Sequence, residues 1–155
     1  MGKQEDANLI LKLYELRRDE TMRKARDWYA VEFHPTSAQD CVSAILGPNS
    51  NYYRMVTSYW EMAASFVNHG AIDEQMFNDA NGEHIAVFAK IEPFLPELRE
   101  AFGIPNYLRQ LEALVMRLPD AKQRLAAVRD RIKKLAEARA ELDRQLQARA
   151  AQTMG

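Results

Sequence analysis

Apolar side chains recur every three or four positions in the middle of the chain, a spacing that predicts a buried helix. The stripe consists of Val56, Tyr59, Trp60, Ala63, Phe66 and Val67, with Arg54, Ser58, Glu61, Ser65 and Asn68 on the opposite side. Gly70 can take the left-handed conformation that ends a helix, with His69 as the C-cap. Asp73 is placed to cap the next helix, and Ile72 and Phe77 have the spacing of a hydrophobic staple. The pattern predicts two helices joined at a locally specified corner.

The segment before this corner predicts further helices. A first helix is expected from near Asp6 to about Phe33. Its charged middle, Arg17 to Lys24, is either a solvated face or a short break at which Asp19 or Thr21 caps a new helix. A short helix capped by Thr36 or Ser37 should then end at Leu46, before a Gly-Pro pair.

The segment after the corner also has a helical period and no strand period. Glu83 to Ala101 predicts a helix with a kink or restart at its two prolines, Pro93 and Pro96. Asn106 is expected to cap a helix from Tyr107 to Leu118. The predicted fold class is all-α: a compact multi-helix bundle over residues 1–118, followed by a long amphipathic C-terminal helix over residues 119–155.

The C-terminal segment carries a seven-residue repeat typical of coiled coils. One heptad position holds Leu125, Ile132, Arg139 and Leu146, and the other holds Val128, Leu135, Leu142 and Arg149. The two arginines stand where apolar side chains belong, a substitution that can specify register or orientation at a cost in stability. We expect this helix to be an interaction surface, used by a second copy of the chain or by an acidic protein partner.

Flanking charges favour one orientation for such a pair. In a parallel homodimer Arg124 would face Arg129 of the second copy, whereas an antiparallel pair centred near Ala136 would set Arg129 against Asp143. The same antiparallel pair would set Arg131 against Gln145. The alternative is that the stripe packs on its own body as the last helix of the bundle.

Composition and charge limit the possible functions. The chain has 155 residues, of which 47% are hydrophobic and 28% charged, as expected for one globular domain. Residues 117–155 hold ten Lys and Arg against five Asp and Glu, a balance of +5, whereas residues 1–116 hold eleven against seventeen, a balance of -6. A single cysteine fits a reducing cytoplasm, and no apolar run reaches the length of a membrane span.

Candidate chemical groups each have a simpler structural interpretation. Glu61 beside Trp60 could be an acid or base, but its polar neighbours favour a solvated or paired carboxylate. His69, His84, Asp73 and Glu83 could gather near the corner, although no metal-binding spacing is present. Cys41 is expected to be a small buried side chain. No glycine-rich phosphate loop occurs, so we predict no catalytic residues, no metal and no cofactor.

The basic side chains of the last helix allow a second hypothesis, nucleic-acid binding. The candidate contacts are Arg124, Arg129, Arg131, Lys133 and Lys134. These charges overlap the heptads, Asp130 interrupts them, and no aromatic residue lies between them, all of which weigh against this hypothesis.

Three segments carry a family resemblance. MRKAR at 22–26, WEMAASFVNHGAIDEQMF at 60–77 and IAVFAKIEPFLPELRE at 85–100 resemble the bacterial family catalogued as domain of unknown function 4760. The resemblance covers about Leu9 to Leu114 and implies a small helical domain of bacterial origin with no established activity. Some relatives resemble proteins with an N-terminal membrane anchor, a pattern from which this chain departs.

These observations favour a non-enzymatic structural or interaction protein. We expect it to self-associate, or to dock on a larger assembly, through its C-terminal helix.

Overall fold

The computed structural model describes residues 2–155, and within them the chain forms nine α-helices, one short 3-10 helix and no strand. The helices are α1 (Lys3–Leu16), α2 (Glu20–Val31), α3 (Ala38–Leu46), α4 (Ser50–Asn68), α5 (Glu74–Ala80), α6 (Glu83–Ile91), α7 (Leu95–Phe102), α8 (Arg109–Met116) and α9 (Ala121–Thr153). The 3-10 helix, Glu92–Phe94, joins α6 to α7. The predicted all-α class is confirmed: a compact bundle is followed by one long C-terminal helix.

Helix α4 lies at the centre of the bundle and packs most extensively against α2 and α8. Its predicted apolar stripe is buried, apart from one residue: Phe66 remains 39% exposed. The buried face is rotated towards Tyr53, Thr57 and Ala64, because α8 packs on that side of α4. Phe66 is therefore left at the edge of the contact, and its predicted burial is wrong.

The corner after α4 has the local geometry that the sequence predicts. Gly70 has a φ of 82°, and the amide of Ala71 donates to the Phe66 carbonyl over 2.9 Å, which closes the helix. The Asp73 carboxylate accepts a hydrogen bond from the Met76 amide over 2.8 Å and so caps α5. Ile72 and Phe77 are both buried, as expected for a hydrophobic staple.

The N-terminal segment forms two helices, so a single helix reaching Phe33 is wrong. Of the two alternatives left open for its charged middle, a solvated face or a short break, the structure shows the break. Asp19 caps α2 by accepting a hydrogen bond from the Met22 amide over 3.2 Å. The break allows α2 to pack on α4 while α1 contacts α5. Asp6 strengthens the second contact, because its carboxylate accepts a hydrogen bond from the Asp73 amide over 2.9 Å.

Helix α8 begins later than predicted, and Asn106 does not cap it. Leu108 precedes its first residue with a φ of 57° and supplies no side-chain cap. The cap comes from α4 instead, because the Glu61 carboxylate accepts hydrogen bonds from the amides of Leu111 and Gln110 over 2.7 and 3.0 Å. Glu61 is thus a paired carboxylate that joins α4 to α8, the interpretation that the sequence favoured.

We predict that Glu61→Ala destabilises the fold, because the amides of Gln110 and Leu111 would lose their acceptor. The expected loss is about 1–3 kcal/mol in the free energy of unfolding, measured by chemical denaturation. The matched control is Glu100→Ala, which removes an exposed carboxylate and should change stability by less than about 0.5 kcal/mol. Equal effects of the two substitutions would show that the cap does not stabilise α8.

Candidate functional site

Helix α9 is the longest element, with 33 residues that extend about 50 Å at 1.5 Å per residue. Pro119 and Asp120 turn the chain into it, and Asp120 has a φ of 52°. The helix divides into two parts, because its first turns pack on the body and its later turns do not.

The first turns of α9 belong to the core of the body. Leu125 and Val128 are buried with residues of the bundle, and Ile132 is partly buried against them, where α9 contacts α6 and α8. Arg129 reinforces this contact, because its Nη1 donates to the Ala89 carbonyl over 3.0 Å and lies 3.4 Å from a Glu92 carboxylate oxygen. Packing on the body, which the sequence left open, therefore applies to these turns. The division of the chain at Leu118 stays a prediction.

The remaining heptad residues have a different environment. Leu135, Leu142 and Leu146 are 55%, 53% and 51% exposed. Arg139 and Arg149, which complete this row, are also exposed, as is every residue from Glu137 onward. We call Leu135, Arg139, Leu142, Leu146 and Arg149 the distal stripe. Its three leucines are half-exposed, Arg139 lies between the first two of them, and Leu135 and Arg139 border the body.

The five basic residues considered for nucleic-acid contact do not form one surface. Arg124, Arg131 and Lys133 are exposed, whereas Arg129 is held by the Ala89 carbonyl and Glu92. Lys134 lies 3.0 Å from the Asp130 carboxylate. At about 100° per residue, Lys133 points to the side of α9 opposite Arg124 and Arg131. The helix therefore presents no single basic face along this segment.

A half-buried polar junction joins α2, α4 and α6. The Glu83 carboxylate accepts hydrogen bonds from Arg26 over 2.8 and 3.0 Å and from the Trp60 indole nitrogen over 3.1 Å. The guanidinium of Arg17 lies 5.4 Å from the centre of the Trp60 ring, in cation–π geometry. Glu83 is therefore fully engaged by cationic and indole donors.

The residues considered as metal ligands are separated by their own partners. His69 acts as the C-cap of α4, with its Nδ1 2.8 Å from the Ser65 carbonyl, and Asp73 caps α5. Within residues 2–155, no group of three or more His, Cys, Asp or Glu side chains is arranged to hold a metal ion. Cys41 is buried as predicted, and burial raises the pKa of its thiol to about 12.

His84 is fully buried between aromatic rings of the core. Its Nε2 lies 3.1 Å from the Asn78 side-chain oxygen, while its Nδ1 has no hydrogen-bond partner among the described residues. Burial lowers the pKa of His84 to about 4, so the ring is neutral at neutral pH. A neutral ring costs less to bury beside Phe77 and Trp60, whose ring centres lie 5.0 and 5.7 Å away.

Sequence reasoning missed Lys90, which is buried in α6. Its ammonium donates to the carbonyls of Tyr29 and Phe33 over 2.5 and 2.7 Å, and so satisfies the C-terminal end of α2. Its position was a usable signal, because it interrupts the apolar run from Val87 to Ile91. Burial lowers the pKa of Lys90 to about 8, with the charge of Arg139 contributing in the same direction.

A family model described as domain of unknown function DUF4760 matches residues 4–118, so the chain belongs to this family. The match covers the body and ends before α9. No curated protein and no solved structure matches the chain. Across residues 2–155, no helix combines the length and the apolar character needed to cross a lipid bilayer.

We predict that His84 makes the fold sensitive to acid. The pKa of His84 is about 4 in the folded state and near 6.5 when unfolded, so the unfolded chain binds the proton more readily. Stability should be full above pH 6.5 and decline by roughly 3 kcal/mol as the pH falls to about 4. Unfolding free energies measured across this range should show a flatter profile for His84→Phe.

The control for this measurement is His69→Gln, which removes an exposed histidine and should keep the wild-type pH profile. An unchanged profile in His84→Phe would show that another group causes the acid sensitivity.

Proposed function

We propose that this member of the family is a non-enzymatic interaction protein that self-associates through the distal stripe of α9, with the two helices antiparallel. The observation that carries the proposal is the contrast along one heptad row. Leu125 and Val128 are buried in the body, whereas Leu135, Leu142 and Leu146 continue the row half-exposed. Most helical stability in proteins comes from packing of an amphipathic face, so a second apolar surface would stabilise the distal part.

The arginines of the stripe favour the antiparallel orientation. A parallel pair would stack Arg139 on Arg139 of the second copy in one core layer, and Arg149 on Arg149. Like charges in one poorly solvated layer repel each other strongly. An antiparallel pair instead places Arg139 opposite a leucine, which removes this repulsion.

The packing of the proximal turns determines where two antiparallel helices can meet. A pair centred near Ala136 would need Leu125 and Val128 at the interface, but the body already buries both side chains. The midpoint of the antiparallel pair must therefore lie further along α9, between Ala140 and Glu141. In this register Leu135 faces Leu146 of the second copy, and Arg139 faces Leu142.

Charge also favours this register. Asp143 of the second copy lies one position from the layer of Arg139, so its carboxylate can neutralise the guanidinium. Each helix tip would reach Ile132 of the other copy, where α9 joins its body.

We predict that Leu146→Asp weakens self-association, because it would bury an unpaired carboxylate opposite Leu135 of the second copy. The dissociation constant should rise by about tenfold or more, measured by sedimentation equilibrium over a wide concentration range. Ala148→Asp is the matched control, because it adds the same charge on the opposite side of the helix. A wild-type protein that stays monomeric at the highest concentrations would overturn the proposal.

Disulfide cross-linking in a Cys41→Ser background tests the antiparallel orientation. Leu142→Cys alone should cross-link poorly, whereas a mixture of Leu142→Cys and Arg139→Cys proteins should form a disulfide between the two variants. Efficient self-cross-linking of Leu142→Cys would show that the helices are parallel.

Nucleic-acid binding remains the alternative. This alternative requires that the protein bind double-stranded DNA with an affinity that falls steeply as the salt concentration rises. That affinity should also depend on Arg124 and Arg131. Such binding by the Leu146→Asp variant, with no self-association of the wild type, would favour this alternative.

A further inference from the structure

A cavity of about 160 Å³ lies beneath α9 and is lined by residues of α2, α4, α6 and α9. Its apolar wall includes Tyr29, Val56, Val87, Ile132 and Leu135. Tyr29, Val56 and Val87 are buried, while Leu135 is 55% exposed, so the cavity opens towards solvent along the distal stripe. An apolar cavity of roughly 150 Å³ in another protein stays dry and binds benzene. The space is therefore large enough for a compact apolar group.

The charges of the side chains around the cavity do not sum to zero. Arg26 and Glu83 neutralise each other at 2.8 Å. Lys90 is buried and donates only to backbone carbonyls, and Arg139 forms no ion pair within residues 2–155. Two positive charges thus border an apolar space without a carboxylate to balance them.

We infer that this cavity is a binding site for a small carboxylate with a compact apolar group, comparable in size with benzoate. The apolar group would fill the space between Val56, Val87 and Ile132, and the carboxylate would lie at the side of Lys90 and Arg139. Lys90 contributes its charge from a fixed position, because the carbonyls of Tyr29 and Phe33 hold its ammonium. Arg139 is exposed and can donate two parallel hydrogen bonds to a carboxylate.

A carboxylate fits better than a neutral apolar ligand. A neutral molecule would gain from the apolar wall alone, whereas an anion would also balance the charges of buried Lys90 and exposed Arg139, and solvent screens the Lys90 charge poorly. The site also accounts for an arginine at a heptad position, because Arg139 faces the body's cavity as well as the distal stripe. The inference does not depend on self-association.

The test uses the full chain carrying Leu146→Asp, so that a failure of self-association cannot affect the result. Calorimetric titration with benzoate should give a dissociation constant of about 1 mM or lower. Benzyl alcohol, which has a similar shape but no charge, should bind at least about tenfold more weakly. Arg139→Gln should weaken benzoate binding by about tenfold or more, whereas Arg144→Gln, on the opposite side of α9, should leave it unchanged.

A second variant tests the cavity itself. Ala86 lines the space, so Ala86→Leu should fill part of it and reduce binding of both benzoate and benzyl alcohol. Three results would overturn the inference: no binding of benzoate at concentrations up to about 10 mM, equal binding of benzoate and benzyl alcohol, or an unchanged affinity for benzoate in Arg139→Gln. Arg139→Gln changes an exposed side chain, so it remains informative if Ala86→Leu fails to fold.

Discussion

The structure depends on the burial of α4 between α2 and α8. Trp60, Tyr53 and Ala63 are almost entirely removed from water, and the helices on either side pack against them. Burying one large apolar side chain contributes about 1.5–3 kcal/mol, against about 1 kcal/mol for a typical hydrogen bond. The apolar face of α4 therefore sets the arrangement of its neighbours, and the polar contacts adjust to it.

Several polar contacts in the body complete helix ends that their own sequence leaves open. Glu61 of α4 caps α8, and Lys90 of α6 satisfies carbonyls at the end of α2. Each of these side chains lies far along the chain from the helix that it completes. Removing one would leave backbone groups without partners in a place with little water, which costs more than the bond itself contributes. These contacts therefore connect the helices to each other as well as completing them.

Helix α9 shows how one repeat can meet two different environments. Its heptad row runs from Leu125 to Arg149 with arginines at two positions, yet only the part that lies alongside α6 and α8 is buried. Contact with the body ends before the helix does, so the row continues into solvent with its leucines half-exposed. A cavity and an unpaired arginine lie at the point where contact with the body ends. The proposed pairing of two helices and the proposed ligand site both begin at this point.

The sequence by itself determined the features that depend on neighbouring residues. It predicted the all-α class and the corner at Gly70, and it offered Asp19 or Thr21 as a cap and a kink or restart near Pro93 and Pro96, because caps, glycines and prolines act over a few positions. Only the tertiary structure decided which faces meet. It left Phe66 exposed, replaced Asn106 by Glu61 as the cap of α8, and buried Lys90 and the first turns of α9. These outcomes depend on contacts between residues distant in sequence, and a helical period gives the face of each helix but not the neighbour that covers it.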